Sequence, residues 1–367
     1  MDDTIRLARA YLSRVAEPPA PALTTLIELV GPIRAAAMVR HGDVNTAVAA
    51  ETDARRDHHH AATDLSYASK VGARLVCPED AEWPADHLAA LTLAQAEGLA
   101  WAAPPIALWV RGDRPLAESL GAAAGIVGAR AATAYGDHVA SDFAYSLAKA
   151  GTTVVSGAAF GIDAAAHRGA LAGEGLTVAV LPCGIDVTYP AAHDSLLRHI
   201  AAKGLLVTEY PPGTHPAKFR FLVRNRLAAA FSAATVVVEA GVRGGSRHTA
   251  AVARVLDRPV LAVPGPVTSA TSRGCHDLLR EHRADLVTSA DEILQVLKDQ
   301  PRPAGQIAGR AGGDAVCVFL ALTPHREMSA AELATACDLP QPRVRAALAD
   351  LELTRSVTRG DTGWRRV

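Results

Sequence analysis

Six short apolar runs, separated by stretches with helical character, constrain the fold of this chain more than any other feature. They lie at 125–128, 152–155, 176–181, 205–208, 235–239 and 259–263. Each run consists mainly of apolar and β-branched residues, without alternation of apolar and polar residues, which is typical of a strand buried on both faces of a mostly parallel sheet. Strands that alternate with helices predict a doubly wound α/β domain, in which ligands lie beyond the carboxyl ends of the strands.

The remaining sequence divides into further segments. Residues 1–75 contain short amphipathic helical patterns, which predict a helical N-terminal domain of helix-hairpin-helix (SAM-like) type before an extended Rossmann-like domain at 76–298. Residues 299–313 are rich in proline and glycine, as linkers are. Residues 314–367 contain three helical stretches and a hairpin pattern, which predict a winged helix. For that last domain, DNA contact and protein contact both remain open.

Positive charge is concentrated in one part of the chain. The formal net charge of the 367 residues is -1, so the bulk charge does not attract polyanions. Between residues 215 and 258, however, eight Lys or Arg residues stand against two acidic residues. This local excess predicts a partner that carries phosphate.

Several classes of protein are disfavoured by what the sequence lacks. The five cysteines form no Cys-x-x-Cys pair, so we expect neither a metal site nor a disulfide framework. The longest apolar run, 99–110, is broken by Pro104-Pro105 and is too short to span a bilayer. The acidic start at Met1-Asp2-Asp3 is unlike a secretory signal. We therefore expect a cytoplasmic protein without a membrane partner.

Glycine-containing loops follow three of the predicted strands and are suited to bind anions. Gly128 lets a ligand approach the backbone, and Arg130 can hold a phosphate with two parallel hydrogen bonds. The loop at 156–163 and the loop at 244–246 each open a helix, whose free amides and dipole favour an anion. Neither loop has the spacing of a dinucleotide fingerprint or a Walker loop. We expect Asp163 to cap its helix.

Other side chains at the strand ends leave alternatives open. Tyr189 either stacks on a base or packs its own loop. Glu209 and Glu239 close buried strands without a nearby histidine or metal-ligand spacing, so a catalytic role and a structural role both remain open. Arg224 and Arg226 stand two residues apart on a helix, and we expect one to reach the ligand and the other to brace the loop.

Seven sequence blocks occur in a characteristic order. They are Val127–Arg130, Ser156–Asp163, Gly184–Asp186 with Tyr189-Pro190, Glu209–Gly213, Phe221 with Arg224–Arg226, Val238–Ala240 with Gly245-Ser246, and Val263–Gly265 with Gly274–His276. Together they resemble the DNA-processing protein A family, also called DprA or Smf. The helical N-terminal segment and the predicted C-terminal winged helix are also similar to that family.

The resemblance implies a protein that binds and protects incoming single-stranded DNA, forms a homodimer and loads the RecA recombinase during natural transformation. It implies no enzymatic turnover and no cofactor. The positions expected to bind DNA are Gly128, Arg130, Ser156, Gly157, Phe160, Gly161, Lys218, Arg220, Arg224, Asn225, Arg226, Gly244, Gly245 and Ser246. Many relatives carry a basic residue in place of Phe160 and of Ala191. We therefore expect the DNA affinity of this chain to depend less steeply on salt concentration than that of those relatives.

Two other functions remain open at this stage. One is a Rossmann-like enzyme related to the nucleotide phosphoribohydrolases, although the loop at 243–249 lacks their Pro-Gly-Gly-x-Gly-Thr pattern. The other is a transcription regulator that uses the winged helix, although the stretch 341–351 carries only two arginines.

Overall fold

The structure is a computed structural model, and it describes residues 2–242, 244–299, 318, 321–322, 326–337, 339–353, 357–360 and 362–366. Up to residue 299, the helices are α1 Asp3–Val15, α2 Pro21–Val30, α3 Pro32–His41, α4 Thr46–Thr52, α5 Ala61–Lys70, α6 Ala85–Ala96, α7 Leu116–Ser119, α8 Ala134–Lys149, α9 Ile162–Ala172, α10 Asp194–Lys203, α11 Lys218–Ala230, α12 Gly245–Val255, α13 Arg273–Arg280 and α14 Ala290–Asp299. The strands of the same region are β1 Ala73–Val76, β2 Leu108–Arg111, β3 Ala123–Val127, β4 Thr153–Ser156, β5 Thr177–Val180, β6 Leu205–Thr208, β7 Ala234–Val237, β8 Val260–Ala262 and β9 Asp285–Leu286.

These nine strands form one sheet in the order β1-β2-β6-β5-β4-β3-β7-β8-β9. The pairings from β6 to β9 are all parallel, whereas β2 is antiparallel to both β1 and β6. The chain moves outward from β3 to β6 and then returns to place β7 beside β3. The loops after β3 and β7 therefore diverge, and a crevice opens at this switch point, as in other doubly wound sheets. The predicted α/β fold with a mostly parallel sheet is confirmed, and the six predicted runs are β3 to β8.

Helices cover both faces of the sheet, which explains why the strands are mainly apolar and do not alternate with polar residues. Val155 of β4 packs into a core that includes α11 and α12. Its neighbour Val154 faces the opposite side and packs against α8 and α9. Successive residues of a strand point to opposite faces, so a strand between two helical layers buries every side chain and is made mainly of apolar residues, with the few polar ones hydrogen-bonded inside, as Thr177 is to the carbonyl of Val154.

The N-terminal helices pack against the antiparallel edge of the sheet. Residues of α1 to α5 share a core with Trp109 of β2 and Leu206 of β6. Arg6 and Arg9 of α1 form ion pairs with Asp80 and Glu79, in the loop after β1. Strand β1 spans the predicted domain boundary at residue 75, so the sheet begins slightly earlier than the sequence pattern indicated.

The described C-terminal residues contain two helices, Ala330–Ala336 and Gln341–Leu353. They are followed by an antiparallel hairpin of β10 Val357–Arg359 and β11 Trp364–Arg366. The first of the three helical stretches predicted for the C-terminal domain, at 314–322, lies for the most part outside the described residues, and so does the predicted linker at 299–313. Within the described part of the chain, no helix has the length and apolar character needed to cross a bilayer.

Candidate functional site

An open cleft of about 670 Å³ lies at the switch point of the sheet, beyond the carboxyl ends of β3, β4 and β7. Nine of the fourteen residues predicted to bind DNA line it, together with aromatic and small residues of the same loops. The nine are Gly128, Arg130, Gly157, Lys218, Arg224, Asn225, Gly244, Gly245 and Ser246.

Two exposed cations stand at the rim of this cleft. Arg130 follows β3 and Lys218 begins α11, and both side chains are exposed. Within the part of the chain that the structure describes, neither cation has an ion pair with a carboxylate. Their positive charge is therefore available to a ligand.

An aromatic pair lies beside Arg130. The rings of Tyr189 and Phe221 meet edge to face, with centroids 5.3 Å apart. The guanidinium carbon of Arg130 stands 5.0 Å from the centroid of Phe221. Tyr189 thus packs on Phe221 while lining the cleft, so the two interpretations left open for it are compatible.

Arg224 forms part of the cleft floor. It is 5 % exposed, and its Nη1 donates a 2.6 Å hydrogen bond to the carbonyl of Val180. Burial lowers the pKa of this guanidinium, and the nearby Asp163 carboxylate offsets part of that effect. The guanidinium lies directly over Gly157, where a Cβ atom would overlap it. Glycine at that position is therefore required for Arg224 to lie in the floor.

The amino end of α12 forms another wall. Gly244 precedes the helix, Gly245 and Ser246 begin it, and the side-chain amide of Asn225 bonds the carbonyl of Gly245 at 3.2 Å. The first turn of α12 contains no acidic residue. Its unpaired amides and helix dipole give this wall a positive potential without a counter-charge on the helix itself.

Three predicted residues are engaged elsewhere in the fold and do not line the cleft. The hydroxyl of buried Ser156 donates to the carbonyl of Ile126 at 2.6 Å. Arg226 forms a buried bidentate ion pair with Glu209, with distances of 2.6 and 2.7 Å. Arg220 pairs with Glu17 at 2.7 and 2.9 Å.

Two further predicted residues also lie outside the cleft lining. Phe160 is 46 % exposed and its ring meets His193 edge to face. Gly161 has φ +73°, and a Cβ atom there would overlap the carbonyl oxygens of Ala129 and Arg130. Its role in the structure is to let the loops after β3 and β4 pack together.

Both strand-end glutamates bond to the protein itself. The carboxylate of Glu239 accepts hydrogen bonds from the amide and hydroxyl of Thr133 at 2.9 and 2.7 Å, and from the hydroxyl of Thr271 at 3.0 Å. It thereby ties two loops to the end of β7. Both carboxylate oxygens of Glu209 accept hydrogen bonds from Arg226, so both glutamates have structural partners. Among the described residues, no group of three or more His, Cys, Asp or Glu side chains is placed to hold a metal ion.

Sequence reasoning missed part of the site. The expectation that Asp163 caps its helix is wrong, because Gly161 holds the cap position of α9 and no side chain bonds the helix start. Asp163 lies in the first turn, and its carboxylate accepts the amide of Ala159, in the loop before α9, at 3.3 Å. It also lines the cleft, and its charge acts on that of Arg224, which lies 61 residues further along the chain, so no local pattern signals the interaction. Leu222, which is 48 % exposed, adds an apolar side chain to the lining.

Comparison with known proteins gives consistent matches. The sequence profile of the family described as DNA recombination-mediator protein A matches residues 74–298. The chain is 48% identical over 372 residues to the putative DNA processing protein DprA of Mycobacterium tuberculosis, covering 100% of this chain and 95% of that protein. It is 38% identical over 195 residues to protein Smf of Escherichia coli, covering 53% and 51% of the two chains. The crystal structure of DNA processing protein A from Streptococcus pneumoniae superposes with a TM-score of 0.64 at 29% identity, covering 80% of this chain and 97% of that one.

Proposed function

This chain belongs to the DNA recombination-mediator protein A family, and from that premise we propose that it binds single-stranded DNA in the cleft at the switch point of its sheet. The bound strand would be held by its phosphates and stacked through some of its bases. Of the fourteen residues predicted from the sequence, the nine that line the cleft form the centre of our proposed contact set, and the exposed Phe160 extends it. The other four, Ser156, Gly161, Arg220 and Arg226, are proposed to support the loops that carry these contacts.

One observation carries the proposal. Arg130 and Lys218 are exposed at the cleft without a carboxylate partner among the described residues, and Arg130 lies against the paired rings of Phe221 and Tyr189. Unpaired cations attract phosphates, whereas aromatic rings stack on bases of any sequence. This combination suits an unpaired strand, because the bases of a duplex are already stacked and turned inward.

The arrangement supports a binding protein better than an enzyme. Glu209 and Glu239, the carboxylates that could serve a phosphoribohydrolase-like reaction, are held by Arg226, Thr133 and Thr271. Asp163 is the acidic residue in the cleft lining, and it accepts hydrogen bonds from its own loop. We therefore propose that the cleft binds without turnover.

The test is a salt titration of binding to a fluorescent oligo(dT) and to a duplex of equal length, read by fluorescence anisotropy. We expect a preference for the single strand, and we expect Arg130→Ala and Lys218→Ala each to lower the log–log salt slope by ~0.7. Lys203→Ala is the matched control, because Lys203 is exposed just before β6, at the amino ends of the parallel strands, whereas the cleft lies beyond their carboxyl ends. A preference for duplex, or slopes that match the control, would refute the proposal.

The family description, a recombination mediator, supports a role in recombination. We propose that the protein loads RecA on single-stranded DNA during natural transformation, acts in the cytoplasm and forms a homodimer. RecA loading is tested by the rate of RecA-dependent strand exchange on DNA precoated with single-strand-binding protein. Sedimentation velocity tests the dimer, which should persist at micromolar concentration.

The domain division also remains part of the proposal. We place a helical domain at 1–75, the Rossmann-like domain at 76–298, a linker at 299–313 and a winged helix at 314–367. The helices Ala330–Ala336 and Gln341–Leu353 and the hairpin after them support the last of these. Limited proteolysis followed by mass spectrometry tests the division, since first cuts within 299–313 are expected.

A further inference from the structure

The two helices that point their amino ends at the cleft differ in one respect. The first turn of α12 contains no acidic residue, whereas the first turn of α9 contains Asp163. An anion site at a helix amino end consists of unpaired amides and the positive end of the helix dipole. In α9 that site already has an anion of its own.

The Asp163 carboxylate is inside the protein and engaged with the loop amides. The residue is 6 % exposed, and its Oδ2 accepts the amide of Ala159 at 3.3 Å. Burial raises the pKa of Asp163, while the charge of Arg224 and hydrogen bonds from the amides of Ala159, Gly128 and Gly157 act in the opposite direction. These amides are the donors that would otherwise bind a phosphate after β3 and β4.

Arg224 is a buried cation that is only partly satisfied. Its Nη1 bonds the carbonyl of Val180, and its buried Nε has no hydrogen-bond partner in the described part of the structure. Within those same residues, no carboxylate comes close enough to form an ion pair with it. Asp163 is nevertheless the largest favourable charge that acts on it. A buried guanidinium in this situation has unused capacity for a second anion.

We propose that Asp163 is an internal counter-anion of the cleft. It occupies amides of the loops after β3 and β4 and balances the charge of Arg224 until a phosphate of the bound strand takes over that balance. The inference rests on the proposed function, because it assumes that the cleft binds a phosphate chain. It assigns Asp163 as a positioning residue that limits the affinity for DNA, in addition to its hydrogen bond with the loop before α9. The bound phosphate nearest to Arg224 would then interact first with the α12 wall, where no carboxylate competes.

The test is the affinity of Asp163→Asn for oligo(dT), measured by fluorescence anisotropy across a range of NaCl concentrations. We expect binding about tenfold tighter than wild type at low salt, because a repulsive unit charge has left a partly buried site. The log–log salt slope should steepen by up to ~0.7 as Arg224 becomes available to a phosphate. In an Arg224→Ala background the gain should fall to about twofold or less.

Controls separate this effect from general charge and from folding. Asp142→Asn removes the same charge from an exposed position on α8 and should leave the affinity unchanged. Asp163→Ser keeps a hydroxyl that can accept a hydrogen bond without carrying the charge, and should also tighten binding if the Asn variant does not fold. A purely structural role for Asp163 predicts weaker binding in both variants.

The outcomes also separate this inference from the proposed function. If the wild type does not prefer single-stranded DNA, the proposed function fails and the inference fails with it. If the wild type binds but the folded Asp163 variants bind equally or more weakly, the inference alone is wrong. It is equally wrong if the gain in affinity persists in full without Arg224.

Discussion

Replacing Glu209 by Gln should destabilise the fold strongly, because this carboxylate balances a cation that has no access to water. The side chains of Arg226 and Glu209 are 2% and 4% exposed, and two hydrogen bonds of 2.6 and 2.7 Å join them. In Glu209→Gln the charge is lost, and the amide group of Gln places its donors against a donor of the guanidinium. Removing one partner of a buried ion pair lowers the free energy of unfolding by about 3 to 5 kcal/mol. A domain is typically stable by only about 5 to 15 kcal/mol, so the loss is a large fraction of the total.

The assay is urea unfolding followed by circular dichroism, with the free energy of unfolding extrapolated to water. The double variant Glu209→Leu with Arg226→Met removes both charges at similar volume, and should recover most of the loss. A loss of less than about 1 kcal/mol in Glu209→Gln, or a double variant as unstable as the single one, would contradict this account of the pair. The double variant should also keep the wild-type salt slope for DNA, because Arg226 lies outside the cleft lining. A slope lowered by ~0.7 would show that Arg226 contacts a phosphate after all.

Three further predictions concern the cleft and its surroundings. Gly157→Ala should displace the Arg224 guanidinium and weaken oligo(dT) binding about tenfold, at a cost of about 1 to 3 kcal/mol in stability; anisotropy and urea unfolding measure the two effects, and unchanged affinity would contradict it. Phe160→Ala should weaken binding by about 1 kcal/mol at an unchanged salt slope, because stacking releases no counterions; a changed slope would argue against stacking. Burial lowers the pKa of His87 to about 4 and that of His167 to about 3. Between these values and pH ~6.5 the folded state therefore binds fewer protons than the unfolded chain. The free energy of unfolding should consequently be lower at pH 5 than above pH ~6.5, by about 2 kcal/mol for each histidine. Unfolding free energies at pH 7 and pH 5 test this, and His87→Gln should reduce the difference between them.

The central sheet was predictable from the sequence, whereas its edges were not. Strands β3 to β8 are buried on both faces, so burial itself makes them apolar and visible as runs. Strands β1 and β2 precede the six predicted runs in the chain and pair antiparallel at one edge of the sheet. Strand β9 has two residues, both exposed, and carries no hydrophobic signal.

The loops of the site were also predictable, because glycines and helix starts follow directly from local sequence. Which arginine faces the cleft was not, since that depends on partners far along the chain. Arg220 is withdrawn by Glu17, which is 203 residues away, and Arg226 by Glu209 across the sheet end. Only Arg224, for which no carboxylate takes that role in the described structure, remains in the floor. Charge clustering therefore locates the surface but does not identify the contacts.

The ion pair between Glu17 and Arg220 has a practical consequence for work with fragments. Glu17 lies just after α1 and also accepts a hydrogen bond from Arg55, so the N-terminal segment supplies the negative charge that neutralises Arg220. A shortened protein that starts after residue 75 would carry Arg220 uncompensated, a few residues from the cleft. Such a fragment should bind polyanions with a steeper salt dependence than the intact chain. Affinities measured on the isolated Rossmann-like domain would consequently overstate how strongly the whole protein holds DNA.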